Sequence, residues 1–123
     1  MYSPIPTNIR ARELERVLTG MSVSVFVTVD HWAGYDHAAA LREMLPRLPK
    51  LRNRILIGQP AADDDITFTP FFEETPWGRR HPVALDDAQE DPYQIATSYF
   101  TSGTSGEPKG FSIPGICHST AYE

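Results

Sequence analysis

From Ala11 to Met21 the apolar positions Leu14, Val17, Leu18 and Met21 recur at helical spacing, with Gly20 placed to end the run. Pro6, Thr7 and Asn8 stand just before it, where stop and cap residues are expected, so the pattern predicts a first helix over 11–21. Val23, Val25, Val27 and Val29 then alternate with Ser24, Phe26 and Thr28, which predicts a β-strand. Gly34, Tyr35 and Asp36 make a turn and a cap for a second helix over 37–45, with the stripe Ala38, Leu41 and Leu45 and the stop Pro46. Ile55, Leu56 and Ile57 read as a short buried strand closed by Gly58. Strand, helix and strand within about 35 residues form a βαβ unit, which predicts parallel strands and a right-handed crossover.

The stretch from Gln59 to Pro92 is irregular, with the acidic run Asp63, Asp64 and Asp65 followed by Phe68, Phe71, Phe72 and Trp77 among prolines. It is expected to form a surface excursion with a short strand or helical turn near Phe71. Ile95 to Thr101 returns to strand composition and runs straight into a loop rich in glycine and hydroxyl groups. No internal repeat or low-complexity tract interrupts this order. The expected fold class is α/β: a partial, mostly parallel sheet of three or four strands with flanking helices, spanning residues 1–123 as one incomplete domain.

Composition narrows the function classes. A chain of 123 residues is the length of one domain. Its 41% hydrophobic and 22% charged residues are those of an ordinary globular protein. The net charge of −5 argues against nucleic-acid binding, which rests on Lys and Arg neutralising phosphates. Eleven prolines point to long connections between short elements. The lone cysteine, Cys117, permits no internal disulfide and fits a reducing compartment. No apolar run approaches the ~20 residues of a membrane helix. Met1 to Arg10 lacks the apolar centre of a signal peptide, so a cytoplasmic location is expected.

The candidate chemistry lies at the end of the last strand. A loop that holds phosphates needs glycines, whose backbone N–H groups can turn inward, together with hydroxyl donors and a cation. The stretch from Thr101 to Gly110 has Gly103, Gly106 and Gly110, then Thr101, Ser102, Thr104 and Ser105, and finally Lys109. A glycine–serine cluster by itself is ordinarily a flexible turn, so the order of residues decides. The run is not a Walker A loop, because Lys109 follows Pro108 and precedes Gly110. Nor does it fit the dinucleotide fingerprint, which opens a helix.

Tyr99-Phe100-Thr101-Ser102-Gly103-Thr104-Ser105-Gly106-Glu107-Pro108-Lys109-Gly110 closely resembles the Tyr-Thr-Ser-Gly-Thr-Thr-Gly-x-Pro-Lys-Gly loop of adenylate-forming enzymes. That family includes acyl- and aryl-CoA synthetases, luciferases and peptide-synthetase adenylation domains. Asp91-Pro92 followed by Ile95-Ala96 is similar to the family's lead-in to the loop, and Pro4 to Leu18 resembles an early helix after a proline–Asn-Thr turn. Val25 to Asp30 and Arg47 to Gly58 resemble the next two strands with their helix, and acyl-CoA synthetases fit best among the subfamilies. The resemblance implies a ligase that joins a carboxylic acid to ATP, with Mg²⁺, releases pyrophosphate and passes the acyl group to coenzyme A. It also implies that Thr101, Ser102, Thr104 and Ser105 donate hydroxyls to the β- and γ-phosphates of ATP or to pyrophosphate. Gly103, Gly106 and Gly110 would present N–H groups, and Lys109 would balance charge.

After Gly110 the sequence departs from the family, since Phe111 to Cys117 intervenes before His118. The 123 residues hold no Tyr-Gly-x-Thr-Glu segment, which in the family contacts the adenylate and helps place Mg²⁺. Neither a later ribose-binding aspartate nor a small C-terminal domain with a catalytic lysine is present in them. The chain is therefore expected to be a slice of the large domain, starting partway into it and inactive alone. The rival readings are a non-catalytic truncated product, a partner piece of a split enzyme, or a small nucleotide-binding module.

Other residues are expected to be structural. His31, His37 and His81 are scattered and expected at the surface rather than on a metal. Asp63 to Asp65 lack the glycine and distal glutamate of a calcium loop, so a solvated turn is expected. Cys117 beside His118 is expected to be a bystander thiol, because adjacent residues rarely face each other. Trp32, Tyr35, Phe71, Phe72 and Trp77 are expected to anchor core or loops rather than line a pocket.

Overall fold

The structure is a computed structural model, and it describes residues 1–84, 91, 93–101 and 109–114. The chain divides into two compact units: Thr7–Pro82, and Met1–Pro6 together with Val83–Glu123.

The first unit is built on the βαβ pattern. Helix α1 spans Ala11–Gly20, strand β1 Val25–Val29, helix α2 His37–Met44 and strand β4 Asn53–Ile57. Strand β1 runs parallel to β4 with Val25 opposite Asn53 and Val29 opposite Ile57. A third strand, β5 at Ile66–Thr67, lies parallel to β4 on its other side, giving the order β1-β4-β5. Between β1 and α2, β2 (His31–Trp32) and β3 (Tyr35–Asp36) form a small antiparallel hairpin. Ala33 at φ 48° and Gly34 at φ 76° turn it, the left-handed pair that a two-residue hairpin needs.

Helices α1 and α2 pack on each other, and α2 packs on β1. Leu14, Val17 and Leu18 of α1 are buried, with Leu41 and Met44 of α2 and Leu56 of β4 fully enclosed. Each such side chain contributes about 1.5–3 kcal/mol by leaving water. The opposite side differs. Val25 and Val27 are each 47% exposed and Ile57 45%, so much of one sheet face stays open among the described residues, although Ile55 on that face is buried. Parallel sheets are ordinarily covered on both faces.

Several expected boundaries move, each for a local reason. The expected caps Thr7 and Asn8 lie too early, and Arg10 takes the N-cap position in extended backbone without a side-chain cap bond. Helix α1 ends at Gly20, and the left-handed residue is Ser22 at φ 53°. Strand β1 begins at Val25 because Val23 N–H donates to the Leu18 carbonyl, while the Ser24 carbonyl accepts from Arg52 and Asn53. Helix α2 stops at Met44, and Leu45–Arg47 tightens into a 3-10 turn around Pro46. In the irregular stretch, a π-helical turn at Thr69–Glu74 and a short helix α3 at Trp77–Arg80 follow β5.

In the second unit, strand β6 spans Ile95–Thr101 and pairs antiparallel with β7, Lys109–Pro114. Among the described residues, β6 thus has an antiparallel partner and a single parallel bridge, Tyr2 to Thr97.

Candidate functional site

The loop's two ends belong to β6 and β7. Thr101 is opposite Lys109, Phe100 opposite Gly110 and Tyr99 opposite Phe111. Direct partners on an antiparallel ladder have Cα atoms about 4.5–5.5 Å apart. The last residue before segment 102–108 and the first after it are therefore neighbours. Of the candidate residues, Thr101, Lys109 and Gly110 lie on these strands. Ser102, Gly103, Thr104, Ser105 and Gly106 lie outside the described residues, as do Cys117 and His118.

Strand β6 is held on both sides. Tyr2 N–H donates to the Ala96 carbonyl at 2.8 Å, and Ser98 N–H donates to the Tyr2 carbonyl at 3.0 Å. The Ser3 hydroxyl donates to the Ser98 carbonyl at 2.6 Å. On the other side Ser98 Oγ and Ser112 Oγ lie 2.8 Å apart. Thr97 is fully buried and Ser98 nearly so, and the Ser98 hydroxyl is tolerable there because it is hydrogen-bonded. The N-terminal segment and β7 thus brace the strand that leads into the loop.

Sequence reasoning missed β7. Phe111 and Ile113 alternate with Ser112, a period of two that was present but overshadowed by the departure from the family pattern after Gly110. Pro114, unsuited to a helix, ends the strand instead.

The histidines separate. His31 and His81 are exposed, whereas His37 is buried, which corrects the expectation of a surface residue. Among the described residues, no group of three or more His, Cys, Asp or Glu is placed to hold a metal. The acidic run also differs from a solvated turn. The Asp65 side chain has no exposure and accepts the N–H groups of Ala61 and Ala62 at 2.7 Å each. It also accepts from Arg54 Nε, and Asp64 takes Arg54 Nη2. The hydrogen bond from Arg54 holds the Asp64 carboxyl below its ordinary value, and Asp64 followed by Asp65 raises the guanidinium's.

Phe71 lies against Phe72 and Trp77, with ring centroids 4.9 and 4.8 Å away, and Trp77 Nε1 donates to the Phe71 carbonyl. These aromatics fasten the excursion to itself. A separate cleft of about 130 Å³ is lined by Leu18, Ser22, Arg47 and Lys50. Its cations are already engaged: Arg47 pairs with both Glu15 oxygens at 2.8 and 2.9 Å, and Lys50 Nζ donates to Ser22 Oγ at 2.9 Å. The hydrogen bond from Arg47 also depresses the Glu15 carboxyl.

Comparison with known proteins decides the family. A family model described as AMP-binding enzyme matches residues 1–114. The chain belongs to the AMP-binding, adenylate-forming family. A solved structure, the anthranilate CoA ligase AuaEII in complex with anthranoyl-AMP, has a similar fold with a TM-score of 0.71 at 23% identity. The alignment covers 92% of this chain and 20% of that one, so the chain spans about one fifth of the ligase's length. No curated protein matches significantly. No helix among the described residues is long and apolar enough to cross a membrane.

Proposed function

We propose that this family member carries the phosphate-gripping part of an ATP-dependent carboxylate–CoA ligase and does not turn over by itself. One observation carries the reading: the ordered run Tyr99 to Gly110 is anchored by Thr101 and Lys109, which are ladder partners. The residue types fit a polyphosphate. Hydroxyls come from Thr101, Ser102, Thr104 and Ser105, backbone N–H groups from Gly103, Gly106 and Gly110, and the cation from Lys109. Bound ATP supplies an α-phosphorus that a carboxylate oxygen attacks as the bond to the bridging oxygen breaks and pyrophosphate leaves. The loop's part is to hold the β- and γ-phosphates and the departing pyrophosphate by electrostatics, with no nucleophile of its own. Coenzyme A as the acyl acceptor, Mg²⁺ as the metal and a cytoplasmic location follow from the same family reading.

The test is an NMR titration of the 123-residue chain with pyrophosphate, ATP and adenosine. Ordering a glycine-rich segment costs about 1–2 kcal/mol per fixed residue, so millimolar binding near about −4 kcal/mol is expected. Pyrophosphate and ATP bind alike, adenosine does not bind, and Lys109→Ala abolishes what binding there is. No ATP–pyrophosphate exchange is expected with fatty or aryl acids. Exchange above a no-protein control overturns the inactive reading, and adenosine shifts as large as those of ATP overturn the loop as the nucleotide contact.

A second reading makes the chain one part of a split enzyme, or a non-catalytic product. The open face of Val25, Val27 and Ile57 favours the former, because it offers apolar surface for further polypeptide to cover. The flanking DNA separates the two: an intact frame encoding the rest of the domain marks a split enzyme, and a degraded one marks decay.

A further inference from the structure

His37 opens α2 and is only 7% exposed, and its Nε2 is buried with no hydrogen-bond partner among the described residues. The Tyr35 ring meets the imidazole edge-on at a centroid distance of 4.8 Å, and the Arg10 guanidinium lies 4.4 Å from the centre of that Tyr35 ring. The charged groups facing His37 are Arg10 from the start of α1, His31 from β2 and Asp36 from β3. Asp30, at the end of β1, meets it through the backbone: the Asp30 carbonyl accepts the His37 N–H at 2.8 Å. Asp36 is already engaged at both oxygens. Its Oδ1 accepts the Ala39 N–H at 2.7 Å, capping α2, and its Oδ2 stands 3.1 Å from His31 Nε2.

We propose that the first turn of α2 is a proton-sensitive latch, closed while the His37 imidazole is neutral and released from the β2–β3 hairpin when it takes a proton. A neutral imidazole carries one N–H, whereas the protonated ring carries two donors and a charge. In this pocket the second donor finds no acceptor, and a buried unpaired charge is expensive. Burial chiefly, and Arg10 next, hold the imidazole below its ordinary value, against a smaller opposing pull from Asp36. The unfolded chain therefore takes up the proton first. Stability contributed by neutral His37 is complete above about pH 6.5 and declines as pH falls below it. Helix α2 is the crossover between β1 and β4 and carries the enclosed Leu41 and Met44, so loosening its first turn reaches the core.

The experiment is an NMR titration of the full chain between about pH 7.5 and about pH 5, following the His37 ring and amide exchange over Ala40 to Met44. The expected result is that His37 titrates below the ordinary histidine range, and protection of those amides, corrected for intrinsic exchange, falls about tenfold. His37→Phe, which keeps a ring against Tyr35, is expected to remove that loss, and His31→Gln to retain it. A His37 ring titrating at or above the ordinary value overturns the proposal, as does an undiminished loss in His37→Phe. Should His37→Phe fail to fold, the ring titration in the wild-type chain decides alone. His37 belongs to the Thr7–Pro82 unit and Lys109 to the other, so the latch is expected to persist unchanged in Lys109→Ala.

Discussion

Thr101 and Lys109 are partners on the antiparallel ladder of β6 and β7, so the residue before segment 102–108 and the residue after it come from adjacent strand ends. A segment closed by such a pair has less conformational freedom to lose on binding a ligand, which favours the proposed polyphosphate role. The same register brings Ser98 and Ser112 together.

That register is open to a covalent test. In a Cys117→Ser background, Ser98→Cys with Ser112→Cys is expected to form an intramolecular disulfide on mild oxidation, because directly paired strand residues fit disulfide geometry. Ser98→Cys with Ile113→Cys is expected to stay reduced, since successive side chains point to opposite faces. Mass spectrometry under non-reducing conditions distinguishes them, and equal crosslinking of both pairs refutes the register.

Asp65 is expected to be the most sensitive residue of the acidic run. Asp65→Ala leaves the Arg54 guanidinium buried without its enclosed partner, at a cost of about 3–5 kcal/mol in chemical denaturation. Asp64→Asn, at an exposed partner, is expected to change stability little. Equal effects in the two variants contradict the assignment.

Asp30 and Gly58 tie the ends of β1 and β4 together. Asp30 Oδ2 accepts the Gln59 N–H at 2.9 Å and Oδ1 the His31 N–H at 2.6 Å. A Cβ on Gly58, whose φ is +112°, would stand 2.3 Å from the Asp30 carboxyl carbon. Gly58→Ala is expected to cost about 1–3 kcal/mol through strain, read from thermal melts. The Gln59 N–H, then that of His31, lowers the Asp30 carboxyl below its ordinary 3.8. Its stability contribution is therefore complete above that value and lost as pH falls below it. Asp30→Asn is expected to flatten acid unfolding in that window, and an unchanged profile sinks the assignment.

The open sheet face predicts self-association. The β1 sequence Val25-Phe26-Val27-Thr28-Val29 is uncharged and proline-free, and the strand ends its sheet among the described residues. Sedimentation velocity is expected to show concentration-dependent oligomers for the wild type and fewer for Val27→Lys. A compact monomer at all concentrations speaks against it.

Much of this was legible along the chain. The alternating valines, the Leu14–Leu18 spacing and the Asp36 cap are local signals, and they became β1, α1 and the N-terminus of α2. The family, too, was legible in the ordered residues of 99–110, and the match over 1–114 agrees with it. The side-chain alternation in 111–113 also carried the signal of β7, though not its partner.

Local pattern cannot set which distant groups meet, because that depends on how the sheet and helices close over one another. Asp63, Asp64 and Asp65 read alike in sequence, yet the course of the chain after β4 buries Asp65 against Arg54 and leaves Asp64 at the surface. His37 looks like any polar helix start, and only the approach of Tyr35 with Arg10 behind it encloses the ring. The valines of β1 show the limit from the other side. Their alternation determined a strand, but whether its faces are covered is a tertiary matter, and Val25 and Val27 stay open because α1 and α2 bury their apolar stripes without covering that face.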